Sequence, residues 1–444
     1  MTEAQALPQT AQRYQESHPL HKVLVAPQDV NELDVPLSIV VDLLMRIIFN
    51  EGEVSFKRLV EIIRLEPQVL DTIISRLQHE KLLEVASAGQ MGRFAYTYGI
   101  TDEGAKRARD AMERSQYIGP APVPIDKYIQ AIMLQTEDKL DVTQDQVRKG
   151  LSHLVLPENF HRSIGPAVNS GTSLFLYGPP GNGKTTIAQA IAELIAGTNP
   201  IWIPHAVTLA GYVISIYDPL IFNAVERNAD ENRFIDKRWG KWVRPSVTVG
   251  GELTMDALEL RFDPVAKFYE SPLQMKANGG MLLIDDFGRQ MMQPQELLNR
   301  WIVPLESGYD FMRLRTGQAF QIPFRQLIVF STNLDPNELV DGAFLRRIQM
   351  KVEVKSPDDR MFFQIFGIMS KQLGVPMEKE GFLHLVQKWY RDAGRRMEAV
   401  HPRDILKIIK SICTYTGEEP RLTPKLVDEA CKNYFVDPDV TKDW

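Results

Sequence analysis
Lys184, Thr185 and Thr186 end a nine-residue stretch, Gly178-Pro179-Pro180-Gly181-Asn182-Gly183-Lys184-Thr185-Thr186, that combines three glycines, a cation and two hydroxyls. Gly178, Gly181 and Gly183 carry no Cβ, so successive backbone N–H groups can turn inward on an anion. The stretch follows the pattern G-x-x-x-x-G-K-[ST], and the ligand it fits is a chain of phosphates. Lys184 supplies a cation for the β- and γ-phosphates. The Thr185 hydroxyl can complete the shell of Mg²⁺, which prefers hard oxygen donors. A second group stands about a hundred residues on, where Met281-Leu-Leu-Ile284 runs into Asp285-Asp286. A carboxylate held at the end of a buried strand can reach the same metal, which assigns Asp285 to Mg²⁺ with Thr185. Asp286 is then placed to orient or activate an attacking water. Asn333 ends a third apolar run, Gln326-Leu-Ile-Val-Phe-Ser-Thr332, and its amide can hydrogen-bond that water or the γ-phosphate. The chemistry this set supports is Mg²⁺-dependent cleavage of ATP.

The elements that must position these groups are legible on either side of them. Ser173-Leu-Phe-Leu-Tyr177 reads as a buried strand, and Ile187 to Ile195 has the spacing of a helix, so the glycine stretch lies between a strand end and a helix start. The helix dipole adds favourable potential for an anion there. With 444 residues, 44% hydrophobic and 24% charged, the chain has globular composition and is long enough for two or three domains. A net charge of −6 gives no global electrostatic case for nucleic acid. The two cysteines, Cys413 and Cys431, form no metal-ligand spacing and read as small buried hydrophobes of a reducing compartment. Met1-Thr-Glu-Ala-Gln-Ala-Leu-Pro8 is polar and acidic and does not read as a signal peptide, and no apolar run reaches the ~18 residues of a membrane span. A cytoplasmic protein is expected.

In order along the chain, residues 1–33 read as a flexible tail. Residues 34–115 read as a winged-helix-like domain: three helices, then short strands on either side of the glycine-tipped Ala88-Gly-Gln-Met-Gly92, then a helix from Thr101 to Arg114. Residues 1–120 hold 13 Lys and Arg against 17 Asp and Glu. Phosphate contacts dominate nucleic-acid affinity, so protein contact is the first expectation for this domain and DNA contact the second. Residues 116–150, with Gly119-Pro-Ala-Pro-Val-Pro124, read as a Pro-rich linker and connector helices. Residues 151–354 form the nucleotide-binding part. About a hundred positions separate Lys184 from Asp285, whereas a helix, strand, helix and strand of average length would take ~50. An inserted β-hairpin, about 232–262 and turning at Gly250-Gly251, fills the difference. Within it Lys237, Arg238, Lys241 and Arg244 alternate with Trp239 and Trp242. That composition suits either stacked bases and phosphates or tryptophans packed on the body of the protein or on a neighbouring subunit. Residues 355–444 read as a bundle of amphipathic helices.

These elements together resemble the AAA+ ATPases. Gly178–Thr185 is similar to the Walker A element, Leu282–Asp286 to Walker B and Asn333 to the sensor-1 position. Leu345-Arg346-Arg347-Ile348, after Asp341-Gly-Ala-Phe344, resembles the stretch that carries the arginine finger. Pro402-Arg403-Asp404 looks like the sensor-2 element. The resemblance spans about residues 150–444. It implies an α/β P-loop NTPase core with a C-terminal helical lid, preceded here by the α+β winged-helix domain. It also implies a ring-shaped homo-oligomer such as a hexamer, with Arg346 or Arg347 reaching the nucleotide of the next subunit. Asp285-Asp286 departs from the common Asp-Glu and is similar to replication initiators and helicase loaders. Asn278-Gly-Gly-Met281 and the turn at Glu306-Ser-Gly-Tyr-Asp310 resemble the branch that includes MoxR-type chaperones and enhancer-binding activators. The implied function is ATP hydrolysis that remodels a protein or other macromolecule. The alternatives are a DNA-associated switch using the winged helix, or a slow nucleotide-gated scaffold.

Overall fold
Apolar spacing at Val40, Leu43, Leu44, Ile47 and Ile48 winds Leu37–Glu51 into a helix with a fully buried inner face. Helices Phe56–Ile63 and Pro67–His79 pack on it and bury Leu59, Ile63, Leu70 and Ile74. Strands β1 (Val54–Ser55), β2 (Leu83–Ser87) and β3 (Thr97–Ile100) form an antiparallel sheet in the order β1-β3-β2. Helix Asp102–Arg114 follows, N-capped by the Thr101 hydroxyl, which accepts from Gly104 N–H. The structure is a computed structural model that describes residues 19–88, 93–137, 140–158, 160–339 and 342–435, so residues 89–92 of the expected glycine tip lie outside the described residues. The flexible tail expected for residues 1–33 is overturned over its described part: Pro19–Val23 is a helix, and Leu20, Val23 and Leu24 are buried in a second core, while residues 1–18 lie outside the described residues. Their i, i+3, i+4 spacing supplies one apolar stripe, short enough to be hidden among the surrounding polar residues.

The remaining strands serve two main sheets. In chain order they are β4 (Val123–Pro124), β5 (Ser173–Tyr177), β6 (Ile201–Pro204), β7 (Ala206–Leu209), β8 (Tyr212–Ser215), β9 (Trp239–Trp242), β10 (Ser246–Val249), β11 (Arg261–Phe262), β12 (Tyr269–Glu270), β13 (Met281–Ile284), β14 (Tyr309–Arg313), β15 (Ala319–Pro323), β16 (Leu327–Thr332) and β17 (Met350–Glu353). The central sheet is parallel throughout, in the order β10-β13-β16-β5-β17. Its middle strands are apolar runs buried on both faces, as a parallel sheet covered by helices requires. This is the α/β core expected from the sequence.

The inserted hairpin at 232–262 is not present as expected. Ser246–Val249 is the edge strand β10 of the central sheet, paired with β13 from Ser246↔Met281 to Val249↔Ile284, and Gly250-Gly251 leads into the loop beyond it. Val247 and Val249 alternate with polar residues because an edge strand is half-covered, and that pattern mimics a hairpin arm. What is inserted supplies most of a second β-module: a mixed sheet in the order β11-β12-β8-β7-β4, whose β4 comes from before the glycine stretch, and the antiparallel pair β6-β9. The linker reading of residues 116–150 is corrected as well. Val123–Pro124 pairs with β7, and Ile125, Tyr128, Ala131 and Ile132 of helix Ile125–Thr136 are buried in the module's core. Pro124 fits because it lies in an edge strand, where a missing N–H costs no ladder bond.

Trp239 and Trp242 are 1% and 6% exposed, which removes them as base-stacking surfaces and resolves that choice in favour of packing on the body. The cations between them are also committed. Lys237 pairs with Glu66 and Lys241 with Glu231, and Arg244 donates to the carbonyls of Asn199 and Gly279. Arg238 is 0% exposed and holds Asp34 and Asp236 at 2.8 and 2.7 Å, tying the N-terminal segment to the inserted module. Burial alone would raise the Asp34 carboxyl, but Arg238 and Lys127 hold it below the usual carboxylate range. Asp34→Ala will leave a buried guanidinium short of its partner and cost roughly 3–5 kcal/mol. Denaturant unfolding of the two chains at neutral pH measures that loss. Because the folded-state pKa is depressed, the contribution is present above the unfolded pKa and fades as pH falls through the folded one.

β14 and β15 form an antiparallel hairpin, Tyr309–Pro323, between helix Pro294–Ser307 and β16. C-terminal to β17 the chain is helical: Asp359–Leu373, Lys379–His384 running on into Leu385–Arg391, His401–Thr416 and Pro424–Tyr434 enclose Phe362, Phe366, Leu385, Ile405, Leu406 and Val427. Cys413 and Cys431 are buried in the same core as free thiols. Among the described residues no helix is long and apolar enough to cross a membrane.

Candidate nucleotide site
The glycine stretch emerges from the carboxyl end of β5 and turns directly into helix Lys184–Ala196. Gly178, at φ +138°, passes so close to β17's continuation that a Cβ would collide with the Val354 carbonyl oxygen. The Lys184 ammonium is buried and donates to the carbonyls of Gly178 and Pro179 at 2.9 and 2.8 Å. Burial pulls it below the ordinary lysine range, and Asp286, Asp285 and Glu398 oppose that shift. A cation placed this way is held against the loop's carbonyls with carboxylates acting on it.

At the ends of β13 and β16 the acidic and amide groups form one hydrogen-bonded chain. Thr185 Oγ1 donates to Asp285 Oδ2 at 2.8 Å, the Asp286 N–H donates to Asp285 Oδ1 at 3.0 Å, and Asn333 Nδ2 donates to Asp286 Oδ1 at 3.2 Å. Asp286 has φ +49°, a left-handed conformation that aspartate tolerates better than most residues, and it is exposed while Ile284 behind it is buried. Gln290 braces the turn by donating to the carbonyls of Asp285 and Asp286 at 3.0 and 3.2 Å. Among the described residues no group of three or more His, Cys, Asp or Glu forms a metal cluster. Mg²⁺ needs none, since it commonly takes one or two protein oxygens and completes its shell with phosphate and water. The hydroxyl of Thr185 and the carboxylate of Asp285 fit that role.

A cleft of about 400 Å³ gathers Pro180, Gly181, Asn182, Gly183, Lys184, Thr185 and Thr186 with Asp285, Asp286, Asn333 and Arg403. Gly178 and Pro179 contribute through their carbonyls to Lys184. Arg403 reaches the cleft from the helical region while donating to Asp404 at 2.9 Å. Arg346 and Arg347 are not among the residues that line it. Arg347 instead pairs with Glu306 at 2.6 Å, and Arg346 is exposed. Asp341, from the stretch before them, lies outside the described residues.

Some contributors were not visible beforehand. Ile365, Ile368 and Met369 form an apolar wall opposite the loop, which their i, i+3, i+4 spacing marks as a helix face but not as a ligand face. The segment Glu398–Val400 straps the loop: Val400 N–H donates to Gly181 O at 2.9 Å, and Ala399 N–H donates to Asn182 Oδ1 at 3.1 Å. A Cβ on Gly181 would strike the Glu398 carboxylate, whose pKa burial raises while Lys184 lowers it. No short-range pattern signals that contact, because it joins residues more than two hundred positions apart.

A parallel sheet with a phosphate-type loop at the end of β5, two carboxylates at the end of β13, an amide at the end of β16 between them and a helical wall closing the cleft make up the α/β core of a P-loop NTPase with a helical lid. The proteasome-activating nucleotidase of Methanococcus vannielii is 28% identical over 156 residues, 32% of this chain and 37% of that protein, so the match spans little more than a third of its length. A family model described as a domain of unknown function (DUF8689) matches residues 358–433, the helical region. Among solved structures, the Thermotoga maritima RuvB Holliday junction branch migration motor is similar over 68% of this chain and 74% of its own, at 17% identity and a TM-score of 0.36. NtrX from Brucella abortus is similar over 80% of this chain and 60% of its own, at 12% identity and a TM-score of 0.37.

Proposed function
We propose that the chain binds ATP with Mg²⁺, hydrolyses it in a ring of identical subunits in the cytoplasm, and uses the cycle to remodel a protein partner. The observation that carries this reading is the unbroken chain Thr185–Asp285–Asp286–Asn333 facing Lys184. In it Lys184 and the loop N–H groups hold the phosphates, and Thr185 and Asp285 hold the metal, which neutralises charge between phosphates when bound. Asp286, oriented by Asn333, accepts the proton of the attacking water. Arg403 on the helical lid contacts the terminal phosphate, so loss of that group releases the lid and turns chemistry into motion.

Arg347, with Arg346 beside it, is assigned to the nucleotide of the adjoining subunit. Its place outside its own cleft, held by Glu306, supports that assignment. Arg347→Ala will bind ATP like the parent chain and lose about 10³-fold or more in turnover. Phosphate release and nucleotide titration on the same preparation check it, and full activity in a strictly monomeric sample would contradict the shared site. The partner-facing elements are the winged-helix domain and the hairpin Tyr309–Pro323, where Phe311 is exposed. A protein partner is favoured over DNA because the candidate tryptophan surface is buried and its cations are already bonded. Saturable, steeply salt-dependent DNA binding would reverse that preference.

A further inference from the structure
At the end of the central sheet opposite the glycine loop lies a second cavity, about 250 Å³, which the ATPase reading does not use. It is lined where the chain enters β5, β13 and β16, and it gathers Arg244, Arg325 and Gln326 with the hydroxyl-bearing Ser170 and Thr172. Gln326 is 3% exposed, and among the described residues neither its amide nitrogen nor its amide oxygen has a hydrogen-bond partner. The Nε of Arg325 is also buried and unpartnered. Its backbone is fixed, the N–H donating to Asn278 Oδ1 at 2.9 Å and the carbonyl accepting from Gly279 at 2.7 Å. Gly308 leaves room for the guanidinium, since a Cβ there would come 3.0 Å from Arg325 Cζ. Among the described residues Arg244 donates to the backbone carbonyls of Asn199 and Gly279, and burial holds it below the usual arginine range. Buried amides and guanidiniums without partners are costly, and a ligand that supplies acceptors offsets that cost.

The geometry points to a binding site for a small oxyanion, a phosphate or carboxylate group, held by Arg325, Arg244 and Gln326. Two guanidiniums give forked donors to such a group, and the Gln326 amide and neighbouring hydroxyls complete its shell. Glu306 lines the same cavity and pairs with Arg347, so an occupant sits one residue from that arginine.

The test uses the full chain carrying Lys184→Ala, so that phosphate does not register at the glycine loop, with inorganic phosphate and succinate as the two probes. Calorimetry and thermal unfolding are expected to show one saturable site, and the tighter of the two probes identifies the headgroup. Adding Arg325→Gln is expected to weaken binding roughly tenfold or more, the loss of a charge-assisted contact. Gln326→Glu places a carboxylate in the cavity itself, so it is expected to raise Tm without added anion and to remove the anion-induced rise. No saturable binding of either probe overturns the proposal. So does equal binding in the parent and both added variants.

Discussion
Lys184→Ala will lose ATP binding, with affinity falling roughly a hundredfold or more. The ammonium is buried and already donates to two carbonyls of its own loop. Hydrogen bonds to charged groups contribute about 1.5–3 kcal/mol each, and two such contacts to phosphate oxygens reach that range. The change also removes a buried charge that offsets Asp285, Asp286 and Glu398, each of which acts on Lys184 electrostatically. Without it, three carboxylates would face a polyanion with one fewer cation in the cleft to oppose them. A fluorescent-nucleotide titration measures the effect, and unfolding in the absence of nucleotide separates it from loss of the fold. Unchanged affinity would remove the site.

Asp286→Asn is the second large effect, and it should separate binding from chemistry. Asparagine is nearly isosteric and tolerates the left-handed φ of +49° at this position as well as aspartate does. The backbone turn and the Asp285 contacts to Thr185 and the Asp286 N–H therefore survive. What is lost is the carboxylate proposed as the base, while the asparagine amide oxygen can still accept from Asn333 as Asp286 Oδ1 does at 3.2 Å. ATP affinity should stay within a few-fold of the parent while turnover falls by about 10²–10⁴, the usual contribution of a positioned general base. Parallel nucleotide titration and single-turnover phosphate release check both halves. Sustained turnover in this variant would show that another group prepares the water.

How much of this was legible in the sequence follows from the physics of each element. β5, β13 and β16 are buried on both faces, so they read as continuous apolar runs, and the glycine loop, Asp285-Asp286 and Asn333 are found at their ends. β10 is half-covered and precedes two glycines, which is what a hairpin arm also looks like. The inserted module was missed because its strands are two to four residues long and find partners far along the chain, as in Val123↔Val207. The tryptophan stretch shows the limit of composition: Lys237, Arg238 and Lys241 have the types of a nucleic-acid surface, but Glu66, Asp34, Asp236 and Glu231 absorb them. Glu398 and the strap across Gly181 and Asn182 depend on where the helical region comes to rest, which no local pattern encodes.

The most direct measurement is phosphate release by the purified full-length chain supplied with ATP and Mg²⁺, compared with the same chain after chelation of the metal and with Lys184→Ala. Steady release that stops on chelation and is absent in Lys184→Ala is the predicted result. ATP bound by the parent chain with no release above the Lys184→Ala level would contradict it.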